Sequence, residues 1–253
     1  MRDSGRSGDR SGAGPPERHR ILVAGPGAPF AAFAAETVAG EIAAAIEAHR
    51  GCALMLSGGK TPRPVFEALG AEGSAWGIDW TKVKFYYADE RCVPPDHPES
   101  NYRMTMESLL GRIPIAPSQI ERMRAEASDL GLAAEEYDRR LPDRLDVLLL
   151  GMGEDGHTAS LFPGSPALDV KNRRVVPVES PKPPACRLTI TPPVIMRARS
   201  LVVMAAGQSK AAVAARALED PYDPGRLPVQ LALGGIWILD REAASLLGVS
   251  RGE

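Results

Sequence analysis

The sequence predicts an α/β fold, doubly wound, with a mostly parallel sheet and helices on both faces. Two observations predict it. Short apolar runs alternate with longer helical runs along the chain, and three of the apolar runs end in polar or glycine-rich segments. A continuous apolar run bounded by turn residues suits a strand buried on both faces, as parallel sheets require. In such sheets ligands bind in the crevice outside the carboxyl ends of the strands, so these same polar segments are where a site is expected.

The elements follow in chain order. The first residues are Arg, Gly and Ser without an apolar core, and they read as a disordered tail over 1–19. A single α/β domain is expected over 20–253. Ile21 to Ala24 is a short strand, and Phe30 to His49 is an Ala-rich helix. Cys52 to Leu56 is a buried strand that breaks at Ser57-Gly58-Gly59 and resumes as a helix after Thr61-Pro62, where proline suits a first helical position. Val83 to Ala88 is a strand, followed by a Pro-rich loop and a helix over Tyr102 to Leu110. Asp129 to Leu141 is a further helix. Leu145 to Leu150 is a strand running directly into Gly151-Met152-Gly153. Strands are predicted at Arg174 to Val178, Arg187 to Ile190, Leu201 to Ala205 and Gly235 to Leu239, with helices over Gln208 to Leu218 and Arg241 to Leu247.

Composition narrows the function. At 253 residues, 44% hydrophobic and 25% charged, the chain is long enough for a sizeable core. A formal net charge of −2 argues against a nucleic-acid partner, because neutralising a phosphate backbone needs a strong basic excess. No apolar run approaches the roughly 18–20 residues that span a bilayer, so no membrane partner is expected. The tail lacks the apolar core of a secretory signal. The three cysteines, Cys52, Cys92 and Cys186, lie far apart and form no zinc-binding spacing, so they are expected to be reduced thiols of a cytoplasmic protein.

Four groups of residues carry chemistry. Ser57-Gly58-Gly59-Lys60-Thr61-Pro62 joins a buried strand to a helix start, where free backbone N–H groups and a partial positive charge favour an anion such as phosphate. The spacing is not that of a Walker loop, and a tight turn that merely needs glycine explains it equally well. Asp89-Glu90-Arg91 follows an apolar strand and is placed either for an active crevice or for a solvated loop with an internal ion pair. In the run Gly151 to Pro163, a strand delivers His157 two residues after Asp155, among glycines. Imidazole suits proton abstraction from water at neutral pH, and a carboxylate two residues away can orient it. A lone histidine is more often a packing residue, but this setting favours catalysis. His19, His49 and His97 lie in the tail, at a helix end and in a Pro-rich loop. Finally, Arg187 opens a strand and Lys210 sits in the first turn of a helix, where a cation is unfavourable against the helix dipole unless an anion binds there.

Together these motifs resemble the 6-phosphogluconolactonase family, part of a wider group with the glucosamine-6-phosphate deaminases. The resemblance runs over about residues 20 to 247 and rests on SGGKTP, DERCVPPDHPESNYRM, LLLGMGEDGHTASLFPG, SPKPPACRLTITPPVIMRA and AAGQSKAAV, in the family's order. It implies hydrolysis of a small phosphorylated sugar lactone, 6-phospho-D-glucono-1,5-lactone, without cofactor or metal, by a monomer or small homo-oligomer. It implies His157 as the base that activates water, Asp155 as its orienting partner, and Arg91 as a group that binds substrate and steadies the oxyanion. It implies Ser57, Gly58, Gly59, Lys60 and Thr61 as the phosphate cradle, with Arg187 and Lys210 as its cations. One departure is visible: Lys60 stands where the family more often has a second serine. An ester of this kind is already reactive and needs no covalent nucleophile.

Two other functions fit parts of the pattern. An amino-sugar-phosphate isomerase/deaminase would share the phosphate cradle, but those relatives usually carry Asn-Gly-His where this chain has Asp155-Gly156-His157. A non-catalytic sugar-phosphate sensor would normally carry a DNA-binding helical module, which the tail cannot supply.

Overall fold

The apolar runs become strands because they bury both faces. The computed structural model describes residues 19–27, 29–71 and 76–248. The tail read over 1–19 lies outside them except for His19. Along the described residues run β1 (Arg20–Val23), α1 (Phe30–His49), β2 (Cys52–Leu56), α2 (Pro62–Ala71), β3 (Val83–Tyr87), β4 (Asp89–Arg91), α3 (Asn101–Ser108) and α4 (Leu130–Arg140). There follow β5 (Val147–Gly151), β6 (Val175–Glu179), β7 (Cys186–Ile190), α5 (Pro192–Arg197), β8 (Ser200–Ala205), α6 (Ala211–Glu219) and β9 (Ile236–Leu239).

Six strands form one all-parallel sheet in the order β1-β9-β8-β5-β2-β3. Val147 to Leu150 of β5 are fully buried at its middle, and each such side chain contributes about 1.5–3 kcal/mol by leaving water. The alanines of α1 have a packing reason: Ala34, Ala35, Val38, Ala39, Ile42 and Ala45 form its buried face, which packs against β2, β5 and β8. Helix starts are capped where the sequence offers a short polar side chain. Ser100 Oγ accepts from the Arg103 N–H at 3.2 Å, and Asp129 Oδ1 accepts from the Leu132 N–H at 2.9 Å.

The order of strands fixes where a ligand can sit. From β2 the chain steps outward to β3, whereas β5, β8 and β9 build in the opposite direction. The loops after β2 and β5 therefore diverge and leave a crevice at the carboxyl edge of two adjacent central strands.

The structure departs from the sequence reading in four places. Asp89–Arg91 is neither a loop nor solvated but a strand, with Asp89 and Glu90 buried. The strands over 175–179 and 186–190 do not join the parallel sheet; with β4 they form a separate antiparallel sheet, β4-β7-β6. Pro192–Arg197 is a short helix that was not expected, with its prolines in the first turn, where no N–H is needed. The helix expected over Arg241 to Leu247 is a series of turns, held at Asp240, whose carboxylate accepts from the Ala243 and Gly207 N–H groups.

Candidate active site

Of the residues to which the resemblance gave a role, all except Asp155 line one cleft of about 620 Å³ at the carboxyl edge of β8, β5 and β2, and Asp155 is hydrogen-bonded to a residue that does. The loop after β2 forms one wall. Ser57 is buried, and its hydroxyl donates to the Leu149 carbonyl of β5 at 2.8 Å. Its proton therefore staples the loop to the sheet and is not offered to an anion. Gly58 is required by space: a Cβ there would lie 1.7 Å from Asn101 Oδ1. Gly59, Lys60 and Thr61 then lead into α2, which starts at Pro62. This turn presents backbone N–H groups, the Thr61 hydroxyl and the exposed Lys60 ammonium to the cleft.

The loop after β5 forms the floor. The Gly153 N–H donates to the His157 carbonyl at 2.8 Å and the Gly156 N–H to the Gly153 carbonyl at 3.1 Å, which coils Gly153 to His157 into one tight turn. Inside it, His157 Nδ1 lies 2.5 Å from Asp155 Oδ1. A carboxylate only accepts, so Nδ1 carries the proton and Nε2 keeps its lone pair. The ring also packs on Phe162, with centroids 4.7 Å apart.

Burial pushes the His157 pKa below its ordinary value, and the Asp155 charge only partly offsets that. Burial acts to raise the Asp155 carboxyl, but the charge and hydrogen bonds of His157 outweigh it and hold the group below the ordinary carboxylate value. The pair at neutral pH is thus an uncharged imidazole beside a carboxylate, the state a general base needs.

The small antiparallel sheet supplies the opposite wall. Asp89 lines the cleft; its Oδ2 accepts from Ser160 Oγ at 2.7 Å and its Oδ1 from Asn101 Nδ2 at 3.2 Å. Glu90 points away from the cleft and accepts from the backbone N–H groups of Arg91, Asn101 and Tyr102, which ties β4 to the start of α3. Burial raises its carboxyl above the ordinary value against those three bonds.

Arg91 and Arg187 face each other across β4 and β7. Arg91 donates through Nη1 to the Glu99 carbonyl at 2.5 Å, while its buried Nε has no partner among the described residues. Arg187 is 6% exposed. Its Nε donates to the Pro184 carbonyl at 3.2 Å, its guanidinium lies over Phe162, and Asp89 is 4.0 Å away. Burial lowers its pKa.

Lys210 ends the 3-10 turn Gln208–Lys210 and stands at the start of α6. The sequence reading made it part of one continuous helix. Burial lowers the ammonium's pKa, and Glu154 across the cleft works against that. Lys182 was missed by the sequence reading. It lines the cleft, with Nζ 3.5 Å from Asp155 Oδ2. The only signal for it was a cation between prolines, in Pro181-Lys182-Pro183-Pro184.

The three cysteines are thiols, and all stand in or beside strands. The register that places Arg91 opposite Arg187 also brings Cys92 Sγ to 2.7 Å from Cys186 Sγ.

The chain is similar to known proteins over most of its length. The family model described as "Glucosamine-6-phosphate isomerases/6-phosphogluconolactonase" matches residues 27–237. A 6-phosphogluconolactonase of Rattus norvegicus is 41% identical over 233 residues, covering 85% of this chain and 88% of the relative. One of Mycobacterium tuberculosis is 37% identical over 233 residues, covering 85% and 93%. The solved structure of 6-phosphogluconolactonase from Trypanosoma cruzi superposes with a TM-score of 0.79 at 26% identity, covering 93% of this chain and 99% of that one. The loops after β2, β5 and β8 thus carry their motifs on a shared fold, and the chain belongs to the family of glucosamine-6-phosphate isomerases and 6-phosphogluconolactonases.

Proposed function

We propose that the protein hydrolyses 6-phospho-D-glucono-1,5-lactone to 6-phospho-D-gluconate in the cytoplasm, with His157 as the base. The observation that carries this reading is the Asp155–His157 pair on the floor of a cationic cleft, together with relatives named for that activity. No helix among the described residues is long and apolar enough to cross a membrane. One chain over 20–253 supplies every side chain the reaction uses.

The phosphate rests on the N–H groups of the Gly58–Thr61 turn, the Thr61 hydroxyl and the Lys60 and Lys210 ammonium groups. Arg187 reaches the cleft beside Phe162 and acts on both phosphate and lactone. A water on Nε2 gives its proton to His157 as its oxygen bonds to C1. The imidazolium that forms is stabilised by Asp155. Arg91 meets the negative charge that develops on the carbonyl oxygen. Collapse breaks the bond from C1 to the ring oxygen, which takes the proton from His157 and leaves as the C5 hydroxyl. The product ionises, and acid is released.

The test follows that acid release from freshly made lactone. His157→Ala is expected to lower kcat by about 10²-fold or more. Lys210→Ala is expected to raise KM for the phosphorylated lactone, losing a charge-assisted bond worth about 1.5–3 kcal/mol, while hydrolysis of the unphosphorylated lactone is unchanged. A His157→Ala protein with near-normal kcat ends the assignment.

A further inference from the structure

We propose that Lys182 is a positioning residue for the base: from the loop between β6 and β7 its ammonium engages Asp155 Oδ2, fixes the rotation of that carboxylate, and keeps Oδ1 on His157. The inference rests on His157 as the base. Asp155 uses its two oxygens for different partners, Oδ1 for His157 Nδ1 at 2.5 Å and Oδ2 for Lys182 Nζ at 3.5 Å. The His157 N–H also donates to Oδ1 at 3.3 Å, and a partner on Oδ2 from another loop means that the carboxylate cannot turn about its Cβ–Cγ bond without losing the contacts on one side.

The loop that carries Lys182 is built to hold it in place. Ser180 Oγ donates to the Lys182 carbonyl at 2.8 Å and accepts from the Lys182 N–H at 3.0 Å. Arg187 Nη2 donates to the same carbonyl at 3.4 Å, and the Ser180 N–H closes the loop on the Ala185 carbonyl at 2.6 Å. Prolines flank the lysine on both sides, so ordering its backbone costs little on folding. The flexible part is the side chain, which is 53% exposed.

A second consequence is electrostatic. His157 is faced by Asp155 and Phe162 from its own loop, by Asp89 from β4 and by Lys182 from the β6–β7 loop, while Arg187 lies over Phe162. The two carboxylates favour the imidazolium. Burial and Lys182 favour the uncharged ring, and together they prevail. Lys182 is a cation that bears on this ring, so removing it is expected to let the imidazole charge more readily. Half exposure screens the effect to about half a pH unit to one unit.

The experiment titrates His157 Cε1 by NMR in protein labelled with 13C-histidine, with His157→Ala to assign the resonance. The wild type, Lys182→Gln and Lys182→Arg are compared, and kcat/KM is measured against pH for the same three. In Lys182→Gln the His157 pKa is expected to rise by about half to one unit, and the acid limb of kcat/KM to rise with it. Lys182→Arg is expected to restore most of both. An unmoved His157 pKa with a raised KM would mean that Lys182 grips the substrate, and the proposal falls. Failure of Lys182→Arg to restore the pKa would also overturn it, because the charge would then not be what acts. A resonance that moves while the kinetic limb stays put upholds the charge of Lys182 at this ring and removes His157 as the base, so the two readings fail separately.

Discussion

Gly153 is the residue on which the base depends most directly, although it has no side chain. A Cβ at this position would lie 2.0 Å from His157 Nδ1, 2.2 Å from His157 Cε1 and 2.5 Å from Asp155 Oδ1. An ordinary contact is about 3.5 Å, so Gly153→Ala must drive the ring back by about 1.5 Å. The Gly153 backbone does not have a positive φ, so alanine is excluded by the space alone and not by backbone conformation. Misplacing a catalytic group by about 1 Å costs on the order of 10²-fold in rate, and the base is worth about 10²–10⁴-fold in all. The expected result is kcat lowered by about 10²-fold. KM should hold within about threefold, because the anion-binding turn at Gly58–Thr61 follows a different strand. Initial rates of acid release over a range of lactone concentrations separate the two constants, and binding of 6-phosphogluconate by calorimetry checks that the cleft is intact. A Gly153→Ala enzyme with kcat within fivefold of wild type would refute the reasoning, since the ring would then tolerate a displacement that should disable it.

Two further outcomes are expected. Tyr137 closes the free edge of β3: its hydroxyl accepts from the Tyr87 N–H at 2.7 Å and donates to the Tyr87 carbonyl at 3.1 Å, all buried. Tyr137→Phe strands both backbone groups, so thermal melting should fall by several degrees, the equivalent of about 1–3 kcal/mol; an unchanged melting point would show that the edge does not need the phenol. Cys92, just past the end of β4, faces Cys186 of β7, so diamide, which is reduced to the hydrazine as it takes up two thiol hydrogens, should join them in a disulfide. Burial pushes the Cys92 thiol up, so the reaction should be slow at neutral pH and faster as pH rises. Peptide mapping that finds only free thiols, or a bond to Cys52, would contradict this.

Much of the main sheet was legible because its strands are continuous apolar runs that need no partner to be recognised: Cys52–Leu56 and Val83–Tyr87 start where the pattern puts them, and β5 begins two residues later than expected. The Gly-rich ends of β2 and β5 were legible for the same reason, since a run of buried residues must stop where the chain turns. The β4 strand was not, because its burial depends on partners distant in sequence. Asp89 is accommodated by Asn101 and by Ser160, 71 residues away, and Glu90 by the backbone at the start of α3. Three charged residues in a row look solvated until those partners are known. The second sheet was hidden similarly, because pairing direction is a long-range property that the runs at 175–179 and 186–190 do not encode locally. At the site, residue types and spacing pointed to His157 and Asp155. They could not reveal that the Ser57 proton is committed to Leu149, nor that Lys182 arrives beside Asp155 from a loop on the other sheet.

The arginines facing each other across β4 and β7 have a consequence for the protein when it is empty. Like charges in register on adjacent antiparallel strands oppose folding, and one of this pair is almost wholly buried. Asp89 lies 4.0 Å from Arg187 and Glu99 3.8 Å from Arg91, so each cation has a carboxylate of its own, and an anion bound in the cleft adds to that balance. A ligand that binds only the folded chain raises its stability by mass action, by about 2.7 kcal/mol at a hundred times its Kd. Melting temperature therefore becomes a reporter of occupancy, and phosphorylated acids can be ranked by thermal shift without any turnover. The same logic limits stability engineering: an apolar residue in place of Arg187 would leave the buried Asp89 carboxylate without its nearby cation, so the charge at this position cannot be traded for stability.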